Sequence, residues 1–227
     1  MSTTKKGVRE TTRRRGDLRN REHRFLELAA KLGEIGRTFH ARGWALGTSG
    51  NFSALVSREP LRLAITATGV DNGALTLADI LQIDRKGKVV RGLGQPSSES
   101  RIHLAVVSVF GAGAVLHTHS VWSTIISESC AAEGGAALEG YEMLKGLEGV
   151  GTHQHREWLP IFENFCDVAG EVQVVETALR QHPTAHGFLL RRHGLYTWGQ
   201  ELAEAKRHVE ILEFLLEVLG RTRTARG

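Results

Sequence analysis

The helical spacing of apolar residues near both ends of the chain is the feature that most limits its fold. Segments 25–41 and 201–219 carry apolar residues at every third or fourth position, which predicts two amphipathic helices. Segments 100–110 and 167–181 show the same spacing over shorter lengths. Short apolar runs lie between them, and this mixture predicts an α/β domain with a central sheet flanked by helices. The predicted strands are 61–67, 80–84, 114–117, 158–162, 188–191 and 195–198.

The distribution of charge divides the chain into three parts. Residues 1–24 carry nine basic and three acidic side chains, whereas the remaining residues are close to neutral. We therefore expect a basic, flexible N-terminal extension over 1–24, one folded domain over 25–220 and a short C-terminal tail over 221–227. Within the domain, the stretch 131–140 is rich in Ala and Gly and is predicted to be a mobile loop.

Composition argues against several classes of protein. No apolar run approaches the roughly 20 residues that a membrane-spanning helix needs, and the N-terminus lacks the apolar core of a signal peptide. Cys130 and Cys166 form no metal-binding or disulfide spacing, which fits a reducing cytoplasm. No aromatic residue interleaves with the basic residues before Phe25, so we expect no nucleic-acid partner.

The pair His117 and His119 is the strongest candidate for a metal site. It ends a predicted strand, where alternation places both imidazoles on one face. A catalytic metal needs a third protein ligand, and His193 also follows a predicted strand. His186 is a rival for the third ligand, and His153 with His155 forms a second pair of the same spacing.

Three short turns have the composition of an anion-binding site. They span 47–51, 66–69 and 96–99, and the last precedes a predicted helix. Backbone N–H groups, hydroxyls and a helix N-terminus together favour a phosphate. Each turn taken alone is more often simply a turn.

Two carboxylates are candidates for acid/base chemistry. Glu99 ends the third turn, and Glu142 follows the Gly-rich stretch 131–140. Judged from the residues alone, each is better explained as a solvated surface charge than as a catalytic group.

Taken in order, these motifs resemble the class II aldolase family. The chain reads GTSGNFS at 47–53, ITATG at 65–69, PSSE at 96–99, HTH at 117–119 and RRHGL at 191–195. The likeness extends over about residues 25–220. Two further segments, 142–146 and 160–164, resemble the dehydratases of this family more than its sugar-phosphate aldolases.

The resemblance implies a fold, a cofactor and an assembly. The expected fold is a single-domain α/β/α sandwich with a largely antiparallel central sheet, and the expected assembly is a homotetramer. One Zn²⁺ per subunit is expected on His117, His119 and His193, with a phosphorylated, sugar-like molecule as substrate.

The resemblance also assigns the remaining site residues. Glu142 matches the acid/base of the dehydratases and is preferred here, whereas Glu99 matches the catalytic glutamate of the aldolases. The residues expected around the substrate phosphate are Thr48, Ser49, Gly50, Asn51, Thr68, Gly69, Ser97 and Ser98.

We therefore predict a metal-dependent lyase that dehydrates its substrate. The alternative is a class II sugar-phosphate aldolase or epimerase that uses Glu99 with the same metal. A non-catalytic interaction module, like the head domain of adducin, is less favoured because a retired site has no need for three histidines.

Overall fold

The computed structural model describes residues 3–164 and 168–225, with side chains from residues 16 and 172 onward in these two parts. Within them the long helices lie at the two ends of the chain, as the apolar spacing predicts. The helices are α1 (Thr3–Ala41), α2 (Ser100–Phe110), α3 (Val121–Ser129), α4 (Val168–Gln181) and α5 (Leu202–Thr224).

One nine-stranded sheet forms the centre of the domain, in the order β4-β3-β2-β1-β5-β9-β8-β7-β6. All neighbouring strands are antiparallel except β7 and β8, which are parallel. The predicted largely antiparallel sheet is therefore confirmed. The strands are β1 (Asn51–Arg58), β2 (Leu61–Thr66), β3 (Ile80–Asp84), β4 (Val89–Arg91), β5 (Ala114–Thr118), β6 (Gly135–Glu139), β7 (Arg156–Phe162), β8 (Gly187–Leu190) and β9 (Gly194–Gly199).

Side-chain alternation along the strands builds a core on each face of the sheet. In β5, Leu116 packs in the core formed with α1, whereas Val115 packs in the opposite core with α2 and α4. Helices α3 and α5 cover β8 and β9 on the α1 side, where Leu195 contributes to a third cluster. Because helices cover both faces, the domain is the expected α/β/α sandwich.

The predicted elements coincide closely with the observed ones. Each of the six predicted strands matches an observed strand to within two residues at either end, and the helix over 100–110 has the predicted bounds. The spacing of α5 predicts an inward face of Leu202, Ala205, Val209, Leu212, Leu216 and Leu219. The first five are buried and Leu219 is half-buried, which confirms this face.

The prediction of a mobile loop over 131–140 is wrong. A short 3₁₀ turn over Ala131–Glu133 leads into β6, which pairs with β7 along five residues. Its small residues suit this position, because a side chain on Gly135 would clash with the ring of Trp158. Composition alone suggested a loop, whereas close packing against an aromatic ring is the reason for the glycine.

The first helix begins much earlier than the apolar spacing predicts. Helix α1 is continuous from Thr3, so the basic segment is helical within the described residues. Lys, Arg and Glu are good helix formers, which explains a helix without an apolar stripe. Glu22 already forms an ion pair with Arg91 of the sheet at 3.3 Å. The expected flexibility of the segment 1–24 stays a prediction.

Cys130 and Cys166 differ in what the structure shows of them. Cys130 is buried beneath α3, and Cys166 lies outside the described residues. With respect to membranes, none of the described helices is both long enough and apolar enough to cross a lipid bilayer.

A buried carboxylate on β7 binds the residues that precede β7 and β8. Glu157 is 1% exposed and accepts hydrogen bonds from His155 Nε2 at 2.9 Å, His186 Nδ1 at 3.0 Å and the His186 backbone N–H at 2.9 Å. Burial raises the pKa of Glu157, but the bonds and charge of the two histidines lower it more, so it lies below the usual 4.5. Burial lowers the pKa of His186, but Glu157 raises it more, so it lies above the usual 6.5.

We expect Glu157→Gln to lower the free energy of unfolding by about 2 kcal/mol, because the amide cannot accept all these bonds. The contribution of Glu157 is present above pH 4.5 and is lost as the pH falls through its lowered pKa. The contribution of His186 is complete below pH 6.5 and is lost as the pH rises through its raised pKa. The difference in the free energy of unfolding between the wild type and Glu157→Gln, measured in urea, should therefore be larger at pH 5.5 than at pH 8.5.

The control is Glu139→Gln on the neighbouring strand. Glu139 is 64% exposed and pairs with Arg156 at the surface, so this change should alter stability by less than about 0.5 kcal/mol. An equal effect of the two substitutions, or a larger effect of Glu157→Gln at pH 8.5, would contradict the assignment.

Candidate metal centre

Three imidazoles converge at the C-terminal end of β5, the central strand of the sheet. The Nε2 atom of His117 lies 2.8 Å from that of His119 and 3.3 Å from that of His193, and the last two Nε2 atoms are 3.0 Å apart. Ligand nitrogens about 2.0–2.1 Å from a tetrahedral metal lie about 3.3 Å from one another. The observed spacing fits three nitrogen ligands of one metal ion.

The register of β5 places this cluster. His117 lies opposite Asn51 of β1 on one side and Tyr196 of β9 on the other. His119 follows two residues later, where its backbone N–H binds the carbonyl of Trp44 at 2.7 Å. Because the period of a strand is two residues, both imidazoles lie on the same side.

Two glycines let the surrounding turns approach β5. Gly50 has φ +77°, and a side chain there would lie 2.5 Å from the carbonyl oxygen of His117. Gly194 lies against Thr118, and a side chain there would clash with the Thr118 carbonyl oxygen. Close approach therefore explains both glycines, and Gly50 also has a left-handed backbone.

Hydrogen bonds at the far ring nitrogens fix the tautomers of two of the ligands. His117 Nδ1 donates to the carbonyl of Leu195 at 3.0 Å, and His193 Nδ1 donates to Asn164 Oδ1 at 3.0 Å. Both Nε2 atoms then present lone pairs to the centre, as metal ligation requires.

The pKa values of the buried ligands favour the neutral rings that bind metals. Burial, together with the neighbouring imidazoles, holds the pKa of His117 well below its usual range. Burial and then the charge of His193 lower the pKa of His119 to about 4. A metal therefore has no proton to displace from either ring at neutral pH.

Glu99 is the fourth group of the centre. It precedes α2, and its Oε1 atom lies 3.1 Å from His193 Nε2 and 3.6 Å from His117 Nε2. Burial raises the pKa of Glu99, but the adjacent imidazoles of His193 and His117 and the hydrogen bond from the Asn51 amide hold it well below its usual range. The four ligand atoms lie within 4.8 Å of one another, so a divalent metal could be held by three histidines with Glu99 beside it.

The three predicted phosphate-binding turns meet beside this centre. Ala67 and Pro96 form an isolated β-bridge between the second and third turns. Asn51, which ends the first turn, donates to Glu99, which ends the third, at 2.6 Å. The expected phosphate residues Thr48, Thr68, Gly69 and Ser98 are exposed, Ser49, Gly50 and Ser97 are half-buried, and Asn51 is buried.

Glu142 lies apart from the four converging groups. It begins a short 3₁₀ helix on the surface, where its side chain is 74% exposed. Its carboxylate accepts from Lys145 at 2.5 Å and lies 3.7 Å from His153. The hydrogen bond from Lys145 lowers its pKa. Its catalytic role stays a prediction.

The alternative histidines have other partners. His155 and His186 both bind Glu157, and His153 lies beside Glu142 at the surface. Neither the second pair nor the rival third ligand belongs to the cluster of His117, His119 and His193.

Several residues around the centre were missed by sequence reasoning. The ring of Tyr196 stacks on His117 at 3.8 Å, and burial followed by the charge of Glu99 holds its pKa well above the usual range. Between the two ligand histidines, Thr118 donates to the buried carboxylate of Glu213 at 2.5 Å. Asn164 lies in the segment 160–164 that the resemblance singled out, but nothing in its spacing signalled a contact with His193.

Comparison with known proteins identifies the family. Residues 30–219 match the sequence profile of the class II aldolase and adducin N-terminal domain. The chain belongs to this family. The resemblance drawn from the five motifs is thereby confirmed.

Two curated relatives within the family are similar to this chain, and both are dehydratases. The chain is 40% identical over 195 residues to a methylthioribulose-1-phosphate dehydratase of Sorangium cellulosum, covering 85% of this chain and 91% of that one. It is 37% identical over 195 residues to a methylthioribulose-1-phosphate dehydratase of Marinobacter nauticus, covering 86% and 93%.

Among solved structures, the L-fuculose-1-phosphate aldolase of Thermus thermophilus is similar to this chain. The two superpose with a TM-score of 0.69 at 25% identity, over 89% of this chain and 96% of that one. The class II aldolase fold is therefore shared with a sugar-phosphate aldolase.

We expect the purified protein to hold about one metal ion per chain on its three histidines. His117→Ala, His119→Ala and His193→Ala should each empty the site, because two imidazoles alone bind a divalent ion weakly. Metal content after dialysis, measured by inductively coupled plasma mass spectrometry, tests this expectation. His155→Ala removes a histidine of the other pair and should leave the metal in place. Full occupancy in the His193→Ala protein would falsify the assignment.

Proposed function

We propose that this protein dehydrates 5-methylthioribulose 1-phosphate to 2,3-diketo-5-methylthiopentyl 1-phosphate, a step of methionine salvage. The observation that carries the proposal is a convergent cluster of three histidines and Glu99 in a chain that is about 40% identical to named dehydratases. The likeness covers nine-tenths of those relatives, so the catalytic domain as a whole supports the proposal.

We propose zinc as the metal, one ion per subunit of a cytoplasmic homotetramer. Three imidazoles with room for a further ligand are typical of catalytic zinc. The tetramer follows from the class II aldolase resemblance. When bound, the divalent cation supplies a Lewis acid that polarises a carbonyl oxygen.

The reaction requires groups that move protons at two neighbouring carbons. Loss of the C3 proton and the C4 hydroxyl releases water and leaves an enol, which gains a proton at C4 as it becomes the 2,3-diketone. One carboxylate can accept the first proton and return it to the leaving hydroxyl if it reaches both atoms.

The two candidate carboxylates have different support. The geometry supports Glu99, whose Oε1 atom lies beside His193 and His117. The resemblance supports Glu142, which matches the acid/base of the dehydratases and is our preferred assignment. A low pKa keeps each in the anionic form that a base requires.

The three turns beside the metal centre are the proposed phosphate site. Thr48, Thr68 and Ser98 present exposed hydroxyls close to where α2 begins. The dipole of a helix favours an anion near its N-terminus. A phosphate held there places the carbons next to it near the histidines.

A second candidate function is cleavage or epimerisation of a sugar phosphate. It is favoured by the position of Glu99 at the centre, which matches the catalytic glutamate of the aldolases, and by the fold shared with a fuculose-phosphate aldolase. An adducin-like interaction module is disfavoured, because all three predicted ligands converge.

The choice of substrate separates these functions. The metal-loaded protein should release water from 5-methylthioribulose 1-phosphate and should not cleave L-fuculose 1-phosphate. Phosphorus NMR and mass spectrometry of both reactions distinguish an 18-Da loss from carbon–carbon cleavage. Cleavage of L-fuculose 1-phosphate without any dehydration would move the assignment to the aldolases.

Substitution of the two glutamates tests the preferred acid/base. Glutamine keeps the shape of glutamate but cannot carry the proton, so Glu142→Gln should lower kcat for dehydration by about 10²-fold or more while KM changes little. Glu99→Gln should have a smaller effect if Glu99 only lines the site. The reverse result, a fully active Glu142→Gln and an inactive Glu99→Gln, would transfer the role to Glu99.

A further inference from the structure

A buried chain of hydrogen bonds leads away from the metal centre through Glu99. Asn51 Nδ2 donates to Glu99 Oε2 at 2.6 Å, and His103 Nε2 lies 2.5 Å from Asn51 Oδ1. The other ring nitrogen, His103 Nδ1, lies 2.7 Å from Ser53 Oγ. Both His103 and Ser53 are fully buried, and Asn51 is 4% exposed.

The backbone places these four residues as two facing pairs. Asn51 and Ser53 are two residues apart on β1 and therefore point to the same face of the sheet. Glu99 and His103 are four residues apart at the start of α2 and therefore lie on one side of the helix. These hydrogen bonds thus join β1, which pairs with β5, to helix α2.

One charge determines the direction of every bond in the chain. A carboxylate can only accept, so Asn51 must turn its NH₂ group toward Glu99 and its carbonyl toward His103. His103 must then carry its proton on Nε2, which leaves Nδ1 to accept from the Ser53 hydroxyl. Burial lowers the pKa of His103 to about 4 although the charge of Glu99 raises it, and this low pKa fits a neutral ring.

We propose that Asn51 is a positioning residue for Glu99, held in one orientation by His103 and Ser53, rather than the phosphate ligand that the resemblance implies. Both ends of its amide already have protein partners, and little of it is open to a ligand. The Glu99 carboxylate is thereby aimed with Oε1 toward His193 and Oε2 toward Asn51.

The tautomer of His103 is the most direct test, and it requires neither metal nor substrate. The metal-free protein, labelled with ¹⁵N-histidine, should show His103 with a protonated Nε2 and a bare Nδ1. The His103→Gln spectrum, from which this signal is missing, provides the assignment. A proton on Nδ1 would reverse the direction of the chain and overturn the proposal.

Binding of inorganic phosphate distinguishes positioning from phosphate ligation. Isothermal titration of the metal-free protein with inorganic phosphate should give the same affinity for the wild type and Asn51→Ala. Thr48→Ala, which removes a hydroxyl from the proposed phosphate site, is the comparison and should bind more weakly. Loss of phosphate affinity in Asn51→Ala equal to that in Thr48→Ala would assign Asn51 to the phosphate instead.

The kinetic test rests on the proposed function. Asn51→Ala should lower kcat for dehydration by about 10- to 100-fold with KM nearly unchanged, as is typical for residues that orient a catalytic group. His103→Leu should cause a similar loss in the wild type but little further loss in the Asn51→Ala protein, because it acts through Asn51. His103→Gln, whose amide can both donate and accept, should recover part of the activity.

A purely structural role predicts a different pattern. The fold-losses in kcat from Asn51→Ala and His103→Leu would then multiply in the double variant, and His103→Gln would not recover activity. The midpoint of thermal unfolding would fall in the same order as the activity. That pattern would overturn the proposal. If the wild type does not dehydrate methylthioribulose phosphate, the proposed function fails, whereas the tautomer and phosphate measurements still decide the role of Asn51. The tautomer measurement also decides it where Asn51→Ala does not fold, because it is made on the wild-type protein.

Discussion

The pairing of β5 with both of its neighbours is the constraint on which the rest of the site depends. This central strand carries His117 opposite Asn51 on one side and opposite Tyr196 on the other. A slip of one residue would move His117 to the other face and break every contact around it. Because apolar cores on both faces specify the register of β5, ordinary packing positions the chemistry.

The same pairing explains how so many polar groups are buried near the centre of the sheet. A buried polar group without a partner costs about 1–3 kcal/mol. Here the partners come from strands and helices that are already in contact. Asn51 binds Glu99 and His103, and Thr118 binds Glu213 on α5. The bonded set of Asn51, Glu99 and His103 is therefore compatible with a stable core, and each of its members limits the orientation of the next.

The two sides of the metal centre are built differently. His117 lies within β5 and Glu99 directly precedes α2, whereas His193 lies in the turn between β8 and β9. Helix α3 braces that turn, because Thr124 donates to the carbonyl of His193 at 3.1 Å and Ser127 accepts from the backbone N–H of Arg192 at 3.0 Å. Arg192 has φ +55°, a conformation that is rare for residues other than glycine. Contacts to α3 thus support an unfavourable backbone next to a ligand.

Sequence reasoning missed elements whose cause lies in other parts of the chain. Strand β6 was predicted to be a loop because Gly and Ala dominate it, although its glycine serves to admit Trp158. Strand β1 was not predicted, because it begins at the last residue of the Gly- and Ser-containing turn at 47–51 and that composition indicated a turn. Glu157 gave no signal at all, because its partners His155 and His186 come from two different segments of the chain.

The sequence by itself determined the α/β class, most helices and strands, the family, and the pair His117 and His119 as candidate metal ligands. Local spacing carries these properties, since the periods of helices and strands and the order of motifs are visible along the chain. Only the tertiary structure decided that His193 rather than His186 joins the pair, that Glu99 lies at the centre, and that Asn51 is bonded to Glu99 and His103. These are contacts between residues about 50 or more positions apart, and only the register of the sheet and the packing of α2 bring them within hydrogen-bonding distance.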